Sequence, residues 1–89
     1  MIIYKYVLKI TDYQSIVIKG LNEVLSVTTQ KETLVLYASV NEINSKNYTI
    51  DVAVIGTGNL FRPPYSWNFL GTCSMAGGQL MWHVFYHLR

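Results

Sequence analysis

Cysteine is almost missing from this chain. Cys73 is the only one, so no intrachain disulfide can form and a reducing compartment is the natural setting. Charge is sparse too: 13% of residues are charged, and seven Lys+Arg against five Asp+Glu leave a net charge of +2 with no cluster. That is too weak and too dispersed for a nucleic-acid footprint, though it would not repel a small anion. Met1 to Ile10 is interrupted by Lys5 and Lys9 and has no small-residue cleavage site, so it is expected to be neither signal peptide nor membrane span. The glycosylation pattern Asn47-Tyr48-Thr49 then has no use. Repeats and low-complexity segments are absent as well.

Eighty-nine residues make one domain, residues 1–89. A chain this short buries somewhat over ~60% of the surface its unfolded form exposes, so its core is thin. Yet 51% of the residues are hydrophobic. The excess predicts a partner surface, and a second copy of the chain is the simplest occupant, so a homo-oligomer is expected.

What the chain does have is β-branched and aromatic alternation. Ile2 to Ile10 places Tyr4, Tyr6, Leu8 and Ile10 on one face, and Lys5, Val7 and Lys9 on the other. Gln14 to Lys19, Glu23 to Gln30 and Thr33 to Val40 follow, the last two joined tightly across Lys31-Glu32. Asn41 to Asn47 is polar and is the segment expected to move. Tyr48 to Ile55 is the longest β-branched run, with Tyr48, Ile50, Val52 and Val54 inward and Asp51 outward. Asn68 to Met75 and Gln79 to Leu88 make a closing hairpin around Gly77-Gly78, where glycine suits the positive φ of a type I′ turn. Helical spacing with caps occurs nowhere; a single turn has room only near Asp12 to Ser15 or Tyr65 to Asn68. The predicted fold class is therefore all-β, a small single-domain barrel or sandwich of about six to seven mostly antiparallel strands.

The sharpest local feature is the loop from Gly56 to Trp67. Gly56, Thr57 and Gly58 can bring backbone N–H groups close to an anion, and Asn59 follows them. Arg62 offers a forked guanidinium, while Phe61 and Trp67 offer stacking faces, a combination suited to a nucleotide-like ligand. The plainer reading is that glycine ends a strand and Pro63-Pro64 stiffen the exit. As a dinucleotide fingerprint the loop fails, since Phe61 holds the third glycine position and no helix follows; a P-loop lysine is also missing. Phe61, Tyr65 and Trp67 are hard to bury in so small a domain, and such aromatics are typical interface anchors.

Catalytic signals are weak. On a strand His83 and His87 would stand about 13 Å apart, too far to share an ion, so no metal site is expected. Cys73 reads as a core residue; register about Gly77-Gly78 sets Trp82 opposite it and turns His83 to the other face. Thr57, Thr72 and Ser74 show no activating base, and no carboxylates are paired. The chain is expected not to be an enzyme and to need no cofactor.

Lys5-Tyr6-x-Leu8-x-Ile10-Thr11-Asp12-x-Gln14, Leu25-Ser26-Val27, Ile55-Gly56-Thr57-Gly58, Phe69-Leu70-Gly71-Thr72 and Trp82-His83-Val84-Phe85 occur in that order. The series resembles an uncharacterised family of short bacteriophage and prophage proteins, over nearly the whole chain. In that family a histidine follows Gly-Thr-Gly; Asn59 stands there in this chain, which weakens any acid–base role. The resemblance implies a phage accessory protein acting in the host bacterial cytoplasm, away from membranes. Together with the loop, it leads to the expectation of a homo-oligomeric counter-defence protein that sequesters a nucleotide-derived immune signal through Gly56, Thr57, Gly58, Asn59, Phe61, Arg62, Trp67 and His83. The alternatives are a protein-binding inhibitor of a host defence protein and a minor structural component of the particle.

Overall fold

The alternation becomes seven strands: β1 (Ile2–Leu8), β2 (Gln14–Lys19), β3 (Leu21–Gln30), β4 (Thr33–Val40), β5 (Asn47–Gly56), β6 (Asn68–Met75) and β7 (Leu80–Leu88). This computed structural model describes residues 1–62 and 67–89. Pro63, Pro64 and Tyr65, singled out in the loop exit, lie outside the described residues. All pairings are antiparallel, and they form two sheets, one ordered β1-β4-β3 and the other β2-β5-β7-β6. The domain is a two-layer sandwich, with a shortest Cα extent of 15 Å, as two sheets ~10 Å apart require.

The core lies between the layers. Leu34, Leu36, Ala38 and Val40 project from β4, and Ile50, Val52 and Val54 from β5; Leu8, Ile18, Cys73, Met75 and Val84 close around them. Period-two spacing sets this, since residues i and i+2 share a face. β4 and β5 are interior strands, so parts of their second faces are buried as well: Val35 and Ser39 on one, Ala53 and Ile55 on the other. Along one side the sheets are joined. Thr29 Oγ1 donates to the Ser74 carbonyl at 2.9 Å, and the Glu32 carboxylate accepts the Ala76 N–H at 3.1 Å.

The two tight hairpins follow turn chemistry. Gln30 pairs with Thr33, leaving Lys31 (φ 51) and Glu32 (φ 60) as a two-residue loop with both φ values positive, as a type I′ turn demands. Between β6 and β7, Gln79 N–H donates to Ala76 O, and the corner residues are Gly77 (φ 66) and Gly78 (φ 93). The residues 12–15 hold no helical turn: Gln14 and Ser15 already belong to β2, because Gln14 Nε2 and Oε1 clamp the backbone of Lys9 and start the strand there. Asn41 to Asn47 is tied down more than its polarity implied. Gly20 N–H donates to Lys46 O, Asn41 N–H to Gly20 O, and Asn44 Nδ2 to the Tyr48 hydroxyl. Among the described residues, no helix is long and apolar enough to cross a membrane.

On the outer side of the four-stranded sheet, Arg89 grips Asp51 through Nη2 at 2.9 Å and Nε at 3.2 Å, and Ser15 Oγ donates to the same carboxylate at 2.7 Å. The Arg89 hydrogen bonds hold the Asp51 carboxyl below its ordinary value; burial opposes this, while Ser15 and nearby positive charge add to it. A carboxyl lowered on folding stabilises the native state above its unfolded pKa, and that contribution disappears as pH falls through the native value. Because Arg89 is exposed, the effect is small, about 0.2–1 kcal/mol. Urea midpoints measured across acid pH should therefore fall less steeply in Asp51→Asn than in the parent; equal slopes would show that the pair contributes nothing.

Candidate functional site

The Gly56–Asn59 segment is a β-turn closed by Asn59 N–H donating to Gly56 O at 3.1 Å. Its corners are Thr57, whose φ is not positive, and Gly58, with φ 88, the pattern of a type II turn. Gly56 has a different reason. A Cβ there would sit 3.2 Å from Trp82 Cζ3 and 3.0 Å from Asn59 Nδ2, so glycine lets the indole edge pack beneath the turn. Both glycines are thus accounted for by the fold, and the Asn59 amide is already engaged. The closing bond occupies one backbone donor of the segment, that of Asn59.

The turn also places Thr57 beside His83. Antiparallel partners share a face, so the pairings Ile55↔His83 and Thr72↔His83 put residues of β5, β6 and β7 together on the outer side of the sheet. Thr57 Oγ1 lies 2.7 Å from His83 Nε2 and Thr72 Oγ1 lies 3.0 Å from His83 Nδ1. Each hydroxyl can donate or accept, so one donates to the bare nitrogen while the other accepts from the protonated one. The two threonines read as lacking a base are therefore the two that hold an imidazole.

Next to this array stands an aromatic platform. Phe85 lies two residues along β7, on the same face, with Phe61 at 4.7 Å and Phe69 at 5.2 Å between ring centroids. Trp67 stacks on His87 at 5.8 Å and 24°, and meets Phe61 edge-on at 6.3 Å. Tyr13, from the β1–β2 connection, reaches both Phe61 and Trp67. The platform is only half covered: Phe69 is 58% and Tyr13 54% exposed. Arg62 follows Phe61 and is exposed. The one ion pair among the described residues joins Arg89 to Asp51 instead.

Of the residues expected to form one site, Thr57, Phe61, Trp67 and His83 meet on this sheet face, and Arg62 adjoins it. Gly56 and Asn59 turn elsewhere, lining with Thr57, Gln79 and the Leu80–Trp82 segment a cavity of about 390 Å³. Tyr13, Phe69, Thr72, Phe85 and His87 were not foreseen as part of the site. Another cavity, about 490 Å³, lies between β1, Lys19 and the 41–44 loop and was not anticipated either. Cys73 sits in the core, where burial pushes its thiol up, with the nearby Thr29 hydroxyl opposing in part; it is held as an unreactive thiol.

A family model described as a domain of unknown function, DUF7352, matches residues 1–89. The chain belongs to the DUF7352 family. No curated protein and no solved structure matches this DUF7352 domain. The sheet face and its residues are therefore interpreted from their own chemistry.

Proposed function

We propose that this DUF7352 protein is a non-enzymatic binding module that captures a small nucleotide-like ligand on the outer face of its four-stranded sheet. In the phage setting that the sequence resemblance implies, this capture sequesters a nucleotide-derived host immune signal in the bacterial cytoplasm. The observation that carries the reading is the fixed Thr57–His83–Thr72 array beside a half-exposed aromatic platform with Arg62 at its edge. A base stacks on the aromatics, the hydroxyls and imidazole meet sugar or phosphate oxygens, and Arg62 supplies charge. Binding rather than catalysis is supported by what flanks the imidazole. Both neighbours are neutral hydroxyls, while Asp51 is paired with Arg89, Glu32 with Ala76 N–H and Glu42 with the Tyr4 hydroxyl.

The test is native mass spectrometry of protein isolated from bacteria with an activated phage-defence system. A nucleotide-sized adduct lost on denaturation is expected. Arg62→Ala should weaken its retention about tenfold or more, the loss of one charge-assisted contact, with an unchanged circular-dichroism spectrum. An apo mass, or an adduct indifferent to Arg62→Ala, would sink the reading. The exposure of Leu60, Phe69 and Tyr13 favours a second reading, an inhibitor that lays the same platform on a host protein. That predicts a stable complex with one protein and no small molecule.

A further inference from the structure

A two-sheet sandwich has four edge strands, here β1, β3, β2 and β6. Unpaired edges invite pairing with another chain, and proteins blunt them with bulges, charge, proline or cover. β3 and β6 are blunted. β3 carries register shifts at Leu21/Glu23 and Val24/Ser26, β6 one at Phe69/Gly71, and the two strands lie against each other. A Cβ on Gly71 would come within 3.2 Å of Val27 Cγ1, so the contact is close.

β1 has none of these devices. Its ladder runs unbroken from Ile2↔Val40 to Leu8↔Leu34, and it contains no proline. Its one charge, Lys5, leans away from the open edge: Nζ donates to Gln30 on β3, at the far side of the sheet, at 3.0 Å. Ile2, Ile3, Tyr4 and Val7 are all exposed. β2 is also unbulged, but Val17 is the only exposed large hydrophobic residue within it. The undefended apolar edge is thus β1.

We propose that β1 pairs antiparallel with β1 of a second copy about a two-fold axis at Tyr4, fusing two three-stranded sheets into one of six strands. An isologous contact requires a strand complementary to itself, and β1 is. In this register Tyr4 faces Tyr4, Ile2 faces Tyr6, and Ile3 faces Lys5 of the second copy. Aromatic and β-branched cross-strand pairs are favourable, and like charges directly opposite are not. Axes near the middle of β1, at Tyr4 or Lys5, give the longest ladders; the axis at Lys5 would set lysine against lysine, which leaves the Tyr4 register. An unrelated partner strand has no such reason to match both faces of β1. This inference rests on the expected homo-oligomer and is separate from the ligand reading, which concerns the other sheet.

Sedimentation equilibrium on the full chain tests it, with a species of twice 10.2 kDa expected. Ile3→Lys sets an ammonium against Lys5 of the second copy and should raise the dissociation constant about tenfold or more. Ile3→Glu at the same site faces that lysine with an opposite charge and should retain the dimer, with added salt sensitivity. Val17→Lys, on the β2 edge, should leave association unchanged. Each site is exposed, so thermal unfolding should show intact folds. A monomeric parent, equal disruption by Ile3→Lys and Ile3→Glu, or loss of association in Val17→Lys overturns the proposal. Native mass spectrometry of the same samples keeps the two ideas apart: a monomer that holds a ligand overturns only the dimer, and an empty dimer only the ligand.

Discussion

Leu36→Ala is expected to remove about 2–4 kcal/mol of folding free energy. Leu36 is fully buried at the middle of β4, between Tyr6 on β1 and Val27 on β3. Truncation there loses the transfer energy of the side chain and leaves a void that β1 and β3, each hydrogen-bonded to β4, cannot fully close. At roughly 0.05–0.15 kcal/mol per residue, a domain of this length holds about 4–13 kcal/mol in all. One such change therefore removes a large share of the total. Urea unfolding should show a lower midpoint with little change in slope, and Leu36→Met should cost less than about 1.5 kcal/mol because volume is conserved. If Leu36→Ala costs no more than Leu36→Met, the core does not lie where the two sheets face each other.

Gly20→Ala should be nearly as damaging for a different reason. Gly20 has φ 70, and an added Cβ would collide with the backbone carbonyl of Asn41 and lie 2.8 Å from that of Asn44. Those carbonyls cannot swing aside easily, because Asn41 N–H donates to Gly20 O and Gly20 N–H to Lys46 O, each at 2.8 Å. The left-handed backbone costs about 1–2 kcal/mol for alanine, and displacing the loop adds to it, so about 2–3 kcal/mol is expected. Hydrogen exchange gives the specific signature: the Asn41 amide should lose protection along with the β2–β3 corner. Gly58→Ala is the control. Its φ is 88, but no atom lies within 4 Å of the added Cβ, so only the conformational part of the cost remains. Equal losses at the two glycines would mean that the 41–46 loop is not docked on Gly20.

The strands themselves were legible because alternation is a local signal. β2, β4 and β6 begin and end where the residue pattern changes, and the Lys31-Glu32 and Gly77-Gly78 turns fall where turn chemistry demands. Neighbourhood in the sheets was not legible. β5 lies between β2 and β7, and that choice rests on complementarity between faces distant in sequence. The site shows the same division. Setting Trp82 opposite Cys73 already implies Thr72 opposite His83, so half of the hydroxyl–imidazole array could be found from the hairpin alone. The Thr57 half depends on β5 joining β7, and the Tyr13 contribution depends on where the β1–β2 connection lands. Asp51 met Arg89 by the same non-local route. Of the loop aromatics recognised as hard to bury, Phe61 and Trp67 lie across the sheet's outer face instead of entering the core.

The strand order also bears on how the chain reaches its fold. Only β3–β4 and β6–β7 are paired neighbours in sequence; β1 must find β4, and β5 must find both β2 and β7. Each of those meetings requires closing a long loop before any contact offsets the lost entropy, which places such topologies among domains that fold in about milliseconds to seconds. The two hairpins are the natural early units. Until β2 pairs on one side and the β6–β7 hairpin docks on the other, the β-branched run of β5 has an uncovered edge. It is also the segment of the chain best suited to pair with its own kind in the wrong way. The yield of folded protein then depends on how fast β5 is enclosed as well as on the stability of the finished sandwich.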